Sequence, residues 1–210
     1  MLALRAAPLL FYWGNTALLH AGGVGMCGSR SVSELGLKAA HACGVQVSCR
    51  DLVVVSGYAR GVDTATHLAA LQAGGRTVIV LAEGFDHFRI KKDFKQDFDS
   101  SRALVVSQFP PGQPWGAFAA MDRNKVIFGL GLALVVIEAG ERGGTLAAGE
   151  GALSAGRPLL VLDFGTETPP GNVKLLAAGG RPIASTTELA SALDAVVEGA
   201  SDDSEEESLF

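Results

Sequence analysis

Four short stretches of this 210-residue chain pair small residues with a basic side chain: Gly28-Ser29-Arg30, Ser56–Asp63, Asp122–Lys125 and Glu138–Thr145. Glycine and serine let backbone N–H groups come close to a ligand, and an arginine fork binds two oxygens of one anion. That combination suits phosphate. It does not suit bond-making: His20, His41, His67 and His87 are scattered, and no Ser/His/Asp arrangement or metal-ligand spacing occurs. Cys27, Cys43 and Cys49 are odd in number and lack CxxC spacing, so they read as reduced thiols of a cytoplasmic protein. A binding protein rather than an enzyme is expected, with no cofactor and no metal. His67 is expected to pack within a helix, and Asp63 to hold its turn by hydrogen bonds rather than to act as an acid.

These residues act together only if the fold gathers them, and the apolar pattern says how. Runs at 22–28, 52–56, 76–82, 103–107, 133–138 and 158–163 read as buried strands, followed by a shorter one at 181–184. Helices are predicted from Ser31 or Ser33 to about Cys43, then over 63–73, 121–129, 145–155, 172–178 and 187–197. Phe94 and Phe98, at i,i+4, predict an amphipathic helix in the polar stretch before the fourth strand. Three prolines keep Phe109–Phe118 out of any helix interior. The alternation predicts an α/β fold with a mostly parallel sheet and helices on both faces. Ligands of such sheets bind beyond the carboxyl ends of the strands. The turns after Cys27, Val55, Leu81 and Glu138 then share one rim, and with Asp122–Lys125 they make a positive, donor-rich groove.

The chain divides into an N-terminal extension (1–21), a core domain (22–198) and an acidic tail (199–210) expected to be disordered. The extension carries PLLFYWGN, expected to cover one edge of the domain. Arg5, Pro8, Trp13 and Asn15 break its apolar run, so neither a signal peptide nor a membrane span is expected. The formal net charge is −5, but six of the 22 acids lie in the last 13 residues. The remaining 16 nearly balance the 17 basic residues, so a polyanion partner is not excluded. Gly23, Gly25 and Gly28 match GxGxxG literally, but they fall before and inside a strand rather than between strand and helix. A dinucleotide cofactor is therefore not expected.

The motifs themselves resemble a known family. GSR-x-x-S (Gly28–Ser33), VVSGYARGVDTATHLAAL (Val54–Leu71), GGRTVIVLAEGFD (Gly74–Asp86), SQFPPGQP (Ser107–Pro114), DRNKVIFGL (Asp122–Leu130) and GTLAAGEGALSAGRPLLVL (Gly144–Leu162) are similar, in this order, to the DNA-processing protein A (DprA/Smf) family. The resemblance covers roughly residues 8–183. It implies an extended Rossmann-like domain that binds single-stranded DNA, forms a homodimer and helps load a RecA-type recombinase in natural transformation and DNA recombination. Carried over residue by residue, the phosphate-binding rim is Gly28, Ser29 and Arg30; Ser56, Gly57, Arg60 and Gly61; Arg123, Asn124 and Lys125; and Gly143, Gly144 and Thr145. Strand binding also calls for stacking platforms. Tyr58 and Phe118 are the candidates, while Phe128 is expected to pack in the core.

The family often carries a helical domain before this one and a winged helix after it, and neither is expected within these 210 residues. HFRIKKDF stands where the family has a tyrosine–proline step, Glu83 places an acid near the rim, Gly143 replaces a common serine and Lys125 a frequent arginine. Two other readings stay open. One is a sensor that binds a small nucleotide in the same rim. The other is a nucleotide-cleaving hydrolase of the PGGxGTxxE type; here Gly140–Glu150 lacks the proline, and Glu150 falls five residues after Thr145 rather than three. The tail, SDDSEEESLF ending in Phe210, reads either as a solubilising segment or as a tip that recruits partners and competes with DNA.

Overall fold

Strands that are apolar at nearly every position, rather than every second one, require cover on both faces of the sheet. A computed structural model describes residues 9–207, with side chains described over 9–200. Its strands are β1 (Phe11–Gly14), β2 (Gly23–Cys27), β3 (Val53–Ser56), β4 (Arg76–Val80), β5 (Ala103–Ser107), β6 (Gly131–Val136), β7 (Leu159–Leu162) and β8 (Arg181–Ile183). The helices are α1 (Glu34–Ser48), α2 (Val62–Gln72), α3 (Ala117–Leu130), α4 (Gly144–Ser154), α5 (Pro170–Ala177) and α6 (Thr186–Glu207). The strands form one sheet in the order β1-β5-β4-β3-β2-β6-β7-β8, parallel except for β1. This is the expected α/β, Rossmann-like architecture.

Alternate strand residues sort into two cores. Val53, Val55, Val78, Val136 and Val161 meet Val126 and Ile127 of α3, Ala148 and Ala152 of α4, and Leu175 of α5. Val24, Met26, Val54 and Ile137 point the other way, against Ala40 and Val47 of α1, Val62 and Ala70 of α2, and Leu189 and Leu193 of α6. Gly23 and Gly25 lie inside β2, as expected. A Cβ on Gly25 would come 3.3 Å from Ile127, so the glycine lets α3 approach the sheet.

Four elements differ from the prediction. The opening segment covers the sheet edge as expected, but as a strand, with Phe11 opposite Ser107 and Gly14 opposite Leu104. No amphipathic helix forms around Phe94 and Phe98. Asp99 Oδ1 accepts from the Ser101 amide (2.8 Å) and hydroxyl (2.7 Å), local bonds that compete with a helix. Phe94 instead plugs against Ile79, Leu81 and Val105, and Phe98 stacks on Trp13 with centroids 5.2 Å apart. The helix α3 starts at Ala117, four residues early, because the run Ala117–Ala120 contains three alanines, the best helix former. Finally, α6 continues past Val197 to Glu207, so the acidic segment expected to be disordered is helical there; Phe210 lies outside the described residues.

The chain leaves β2 through α1 to β3 on one side, and later enters β6 on the other side. The carboxyl ends of β2 and β6 therefore flank the switch point, where a crevice opens.

Candidate functional site

Beyond β2 and β6 lies an open groove of about 490 Å³. Its walls are the turn Cys27–Ser31, the middle of α3 (Ala120, Arg123, Asn124) and the start of α4 (Gly143, Gly144, Thr145). Gly143 makes the last wall with φ +115, a conformation that glycine adopts without a Cβ penalty. No side chain caps α4, and its first turn holds no acid. Its free N–H groups and partial positive charge are thus available at the groove wall. The start of α1, by contrast, is satisfied internally: the Ser33 hydroxyl accepts from Gly36 N–H (2.9 Å), and Glu138 accepts from the Ser33 amide (3.0 Å) and hydroxyl. The two sides of the groove are joined where the Thr145 hydroxyl donates to the Gly28 carbonyl (3.2 Å). Asn124 donates to the Gly144 carbonyl (3.1 Å). Arg30 is exposed, with its guanidinium 5.2 Å from the Trp115 ring centroid.

A second cavity of about 270 Å³ shares Arg30, Ala59, Trp115 and Arg123 with the first and adds Tyr58, Arg60 and Glu83. Its neighbour, the β3–α2 turn, is closed. Ser56 is fully buried and donates to the Met26 carbonyl (2.7 Å). Gly57 is buried, and a Cβ there would collide with the Arg123 guanidinium and with Asp63. Arg123 is only 6% exposed; its Nη1 donates to the Val80 carbonyl (2.9 Å), and its Nη2 lies 4.0 Å from Asp63 Oδ2. Asp63 holds its turn as expected, accepting from Ala59 N–H (3.2 Å). The first N–H of α2, on Val62, donates to the Ser29 carbonyl (3.2 Å). His67 is buried: Nε2–H donates to the Gly57 carbonyl (2.6 Å), and Nδ1 faces the Thr77 hydroxyl (2.5 Å).

Electrostatics follow from this burial. Loss of solvent pushes the Asp63 carboxyl up, with Arg123 and the Ala59 amide pulling it back. The same loss lowers Arg123, against the pull of Asp63. Burial drops His67 to about 4, so the ring is neutral near pH 7 and serves as a hydrogen-bonded strut. Burial also raises the Cys27 thiol, beside the first groove, which leaves it inert.

The expected rim is therefore split. Gly28, Ser29, Arg30, Arg123, Asn124, Gly143, Gly144 and Thr145 meet around the larger groove, and Arg60 stands exposed at the smaller. Ser56, Gly57 and Gly61 line neither; they shape the turn behind it. The segment Asp122–Lys125 lies in mid-helix rather than in a turn. Lys125 is paired with Asp122 (2.7 Å) and lines a third cavity with Phe118, Met121 and Phe128. Tyr58 is packed: Lys91 Nζ sits 4.1 Å from its ring centroid, and Phe88 and Phe94 flank it. Phe118 is 84% exposed, whereas Phe128 is half-buried against the core. Trp115, at the junction of both cavities, was not anticipated, because its proline-rich surroundings carry no stacking signature. Glu150 is exposed and lines neither cavity, so it cannot serve the groove as an acid. Among the described residues, no group of three His, Cys, Asp or Glu could hold a metal, and no helix is long and apolar enough to cross a membrane.

Comparison with known proteins fits this geometry. The family model for DNA recombination-mediator protein A matches residues 3–194. The DNA processing protein DprA of Streptococcus pneumoniae is 40% identical over 158 residues, covering 75% of this chain and 56% of that protein. Protein Smf of Escherichia coli is 32% identical over 155 residues, covering 73% and 41%. The chain thus spans about half the length of the curated relatives it matches. The crystal structure of S. pneumoniae DprA superposes with a TM-score of 0.76 at 35% identity, covering 87% of this chain and 65% of that one. The Helicobacter pylori DprA structure, described for its single-stranded DNA binding mode, gives 0.80 at 21% identity over 90% and 89%, a likeness of fold. The chain belongs to the DNA recombination-mediator protein A family, the DprA/Smf proteins.

Proposed function

We propose that this chain binds single-stranded DNA along the rim at the carboxyl ends of β2 and β6. The observation that carries the reading is the open groove where the uncapped start of α4, the Gly28 turn and Arg30 converge. Phosphate oxygens accept from the backbone of Gly28, Ser29, Gly143, Gly144 and Thr145, from the second amide proton of Asn124, and from the guanidiniums of Arg30 and Arg60. Arg123 supplies positive potential from beneath. A single strand is the polyanion of choice because the H. pylori relative with the same fold is described as binding one. The chain acts by binding rather than catalysis, in the cytoplasm, as a homodimer that passes its strand to a RecA-type recombinase. These last roles rest on family membership.

The test is binding of a labelled oligonucleotide, single-stranded against duplex, across a salt series. Tighter binding of the single strand is expected, with a log–log slope of about −0.7 per phosphate contacted. Absent or salt-independent binding would defeat the reading. So would equal affinity for duplex.

A further inference from the structure

We infer that Trp115 is the seat for an unpaired nucleobase, placed beside Arg30 so that a base and its adjoining phosphate are taken together. This rests on the reading that the groove binds nucleotides. Trp115 is 51% exposed, yet it lines both cavities at the point where they join. Its loop is fixed rather than loose. Gly84 N–H donates to the Gln113 carbonyl (2.8 Å), Asp86 N–H to the Pro111 carbonyl (3.0 Å) and Gln113 N–H to the Pro110 carbonyl (2.9 Å). A platform held in advance loses little freedom when a ligand lands on it.

The indole already engages the Arg30 cation at 5.2 Å. An exposed cation–π contact is weaker than stacking of a base on an aromatic ring. A base can therefore take the indole while Arg30 turns to the next phosphate, and the exchange is favourable. The other candidate rings are placed less well, and Phe118, though exposed, lines the third cavity rather than either of these two. Tyr58 is covered by Lys91 and flanked by phenylalanines, and Trp13 stacks on Phe98. In a duplex the bases stack on one another and have no free face to offer. Trp115 therefore supplies preference for unpaired nucleotides, which phosphate contacts alone cannot give.

Trp13 and Trp115 are the only tryptophans in the sequence, so a Trp13→Phe parent reports on Trp115 alone. Its fluorescence is titrated with a dT oligonucleotide of about twelve nucleotides, with an abasic strand of the same backbone, and with dTMP. The dT strand is expected to quench the indole and to bind about tenfold more tightly than the abasic strand. Trp115→Leu should lose that advantage on dT and nothing on the abasic strand, while Trp115→Phe keeps most of it. If the parent binds dT and Trp115→Leu binds it equally well, the base seat is overturned and the strand reading stands. If dTMP binds as tightly as the strand, the seat stands and the strand reading falls. If the parent binds none of the three, both fall.

Discussion

The turns after β2 and β3 both join small residues to an arginine and feed a helix, Gly28-Ser29-Arg30 in one case and Ser56–Arg60 in the other. After β2 the chain leaves a groove, with Arg30 in solvent and the start of α4 across from it. After β3 it fills the space itself. Asp63, in the first turn of α2, takes the Ala59 N–H, and Arg123 arrives from α3 to lie beside that carboxylate. The protein's own carboxylate and guanidinium occupy the place an external anion would take. The first turn of α4 holds no such acid, and its groove is open. Whether a strand–turn–helix unit binds an anion is decided by what the rest of the chain places over it.

The largest expected effect breaks the closed half. Arg123→Ala leaves Asp63 buried without its partner and should cost about 3–5 kcal/mol of stability in urea unfolding. Arg30→Ala, in the open half, should change stability by less than about 0.5 kcal/mol. A small loss for Arg123→Ala would show that the pair does not hold the turn.

Acid should also strike the closed half first. The folded His67 has a pKa of about 4, below its unfolded value. Between about pH 6.5 and 4 the unfolded chain binds a proton that the folded chain refuses. Stability is full above that window and falls by about 3 kcal/mol through it. Asp63, with its carboxyl pushed up, works in the opposite sense. The readout is therefore the difference between wild type and His67→Gln, which should shrink as the pH drops. A constant difference would argue against a neutral buried ring.

Smaller still is Tyr58→Phe, which removes the hydroxyl that accepts from the Lys91 amide (2.8 Å). It should cost about 1 kcal/mol of stability and leave oligonucleotide affinity unchanged. An affinity loss would move Tyr58 from the packed cluster into the binding surface.

Much of this was legible in the chain. The strand order along the sequence, the helices between them, and the turns at Gly28–Arg30 and Gly143–Thr145 follow from apolar runs and glycine placement. The burial of Arg123 was not legible. Nothing local marks it, because its partners Val80 and Asp63 lie 43 and 60 residues earlier in the chain. Trp115 was hidden for a similar reason: its role comes from the loop at Gly84–His87 that fixes it, not from its neighbours. The strand β1 is four residues long and half-exposed at an edge, too short to show a period. Around Phe94 and Phe98 the helical spacing was real, but short-range bonds from Asp99 and the pull of Phe94 into the core outweighed it.

The contrast between the two halves is tested most directly by the salt dependence of single-stranded oligonucleotide binding, measured for wild type and Arg30→Ala side by side. Loss of one phosphate contact should lower the log–log slope by about 0.7 and weaken binding about tenfold at low salt. An Arg30→Ala protein with the wild-type slope and affinity would contradict the assignment of the open half as the DNA-binding rim.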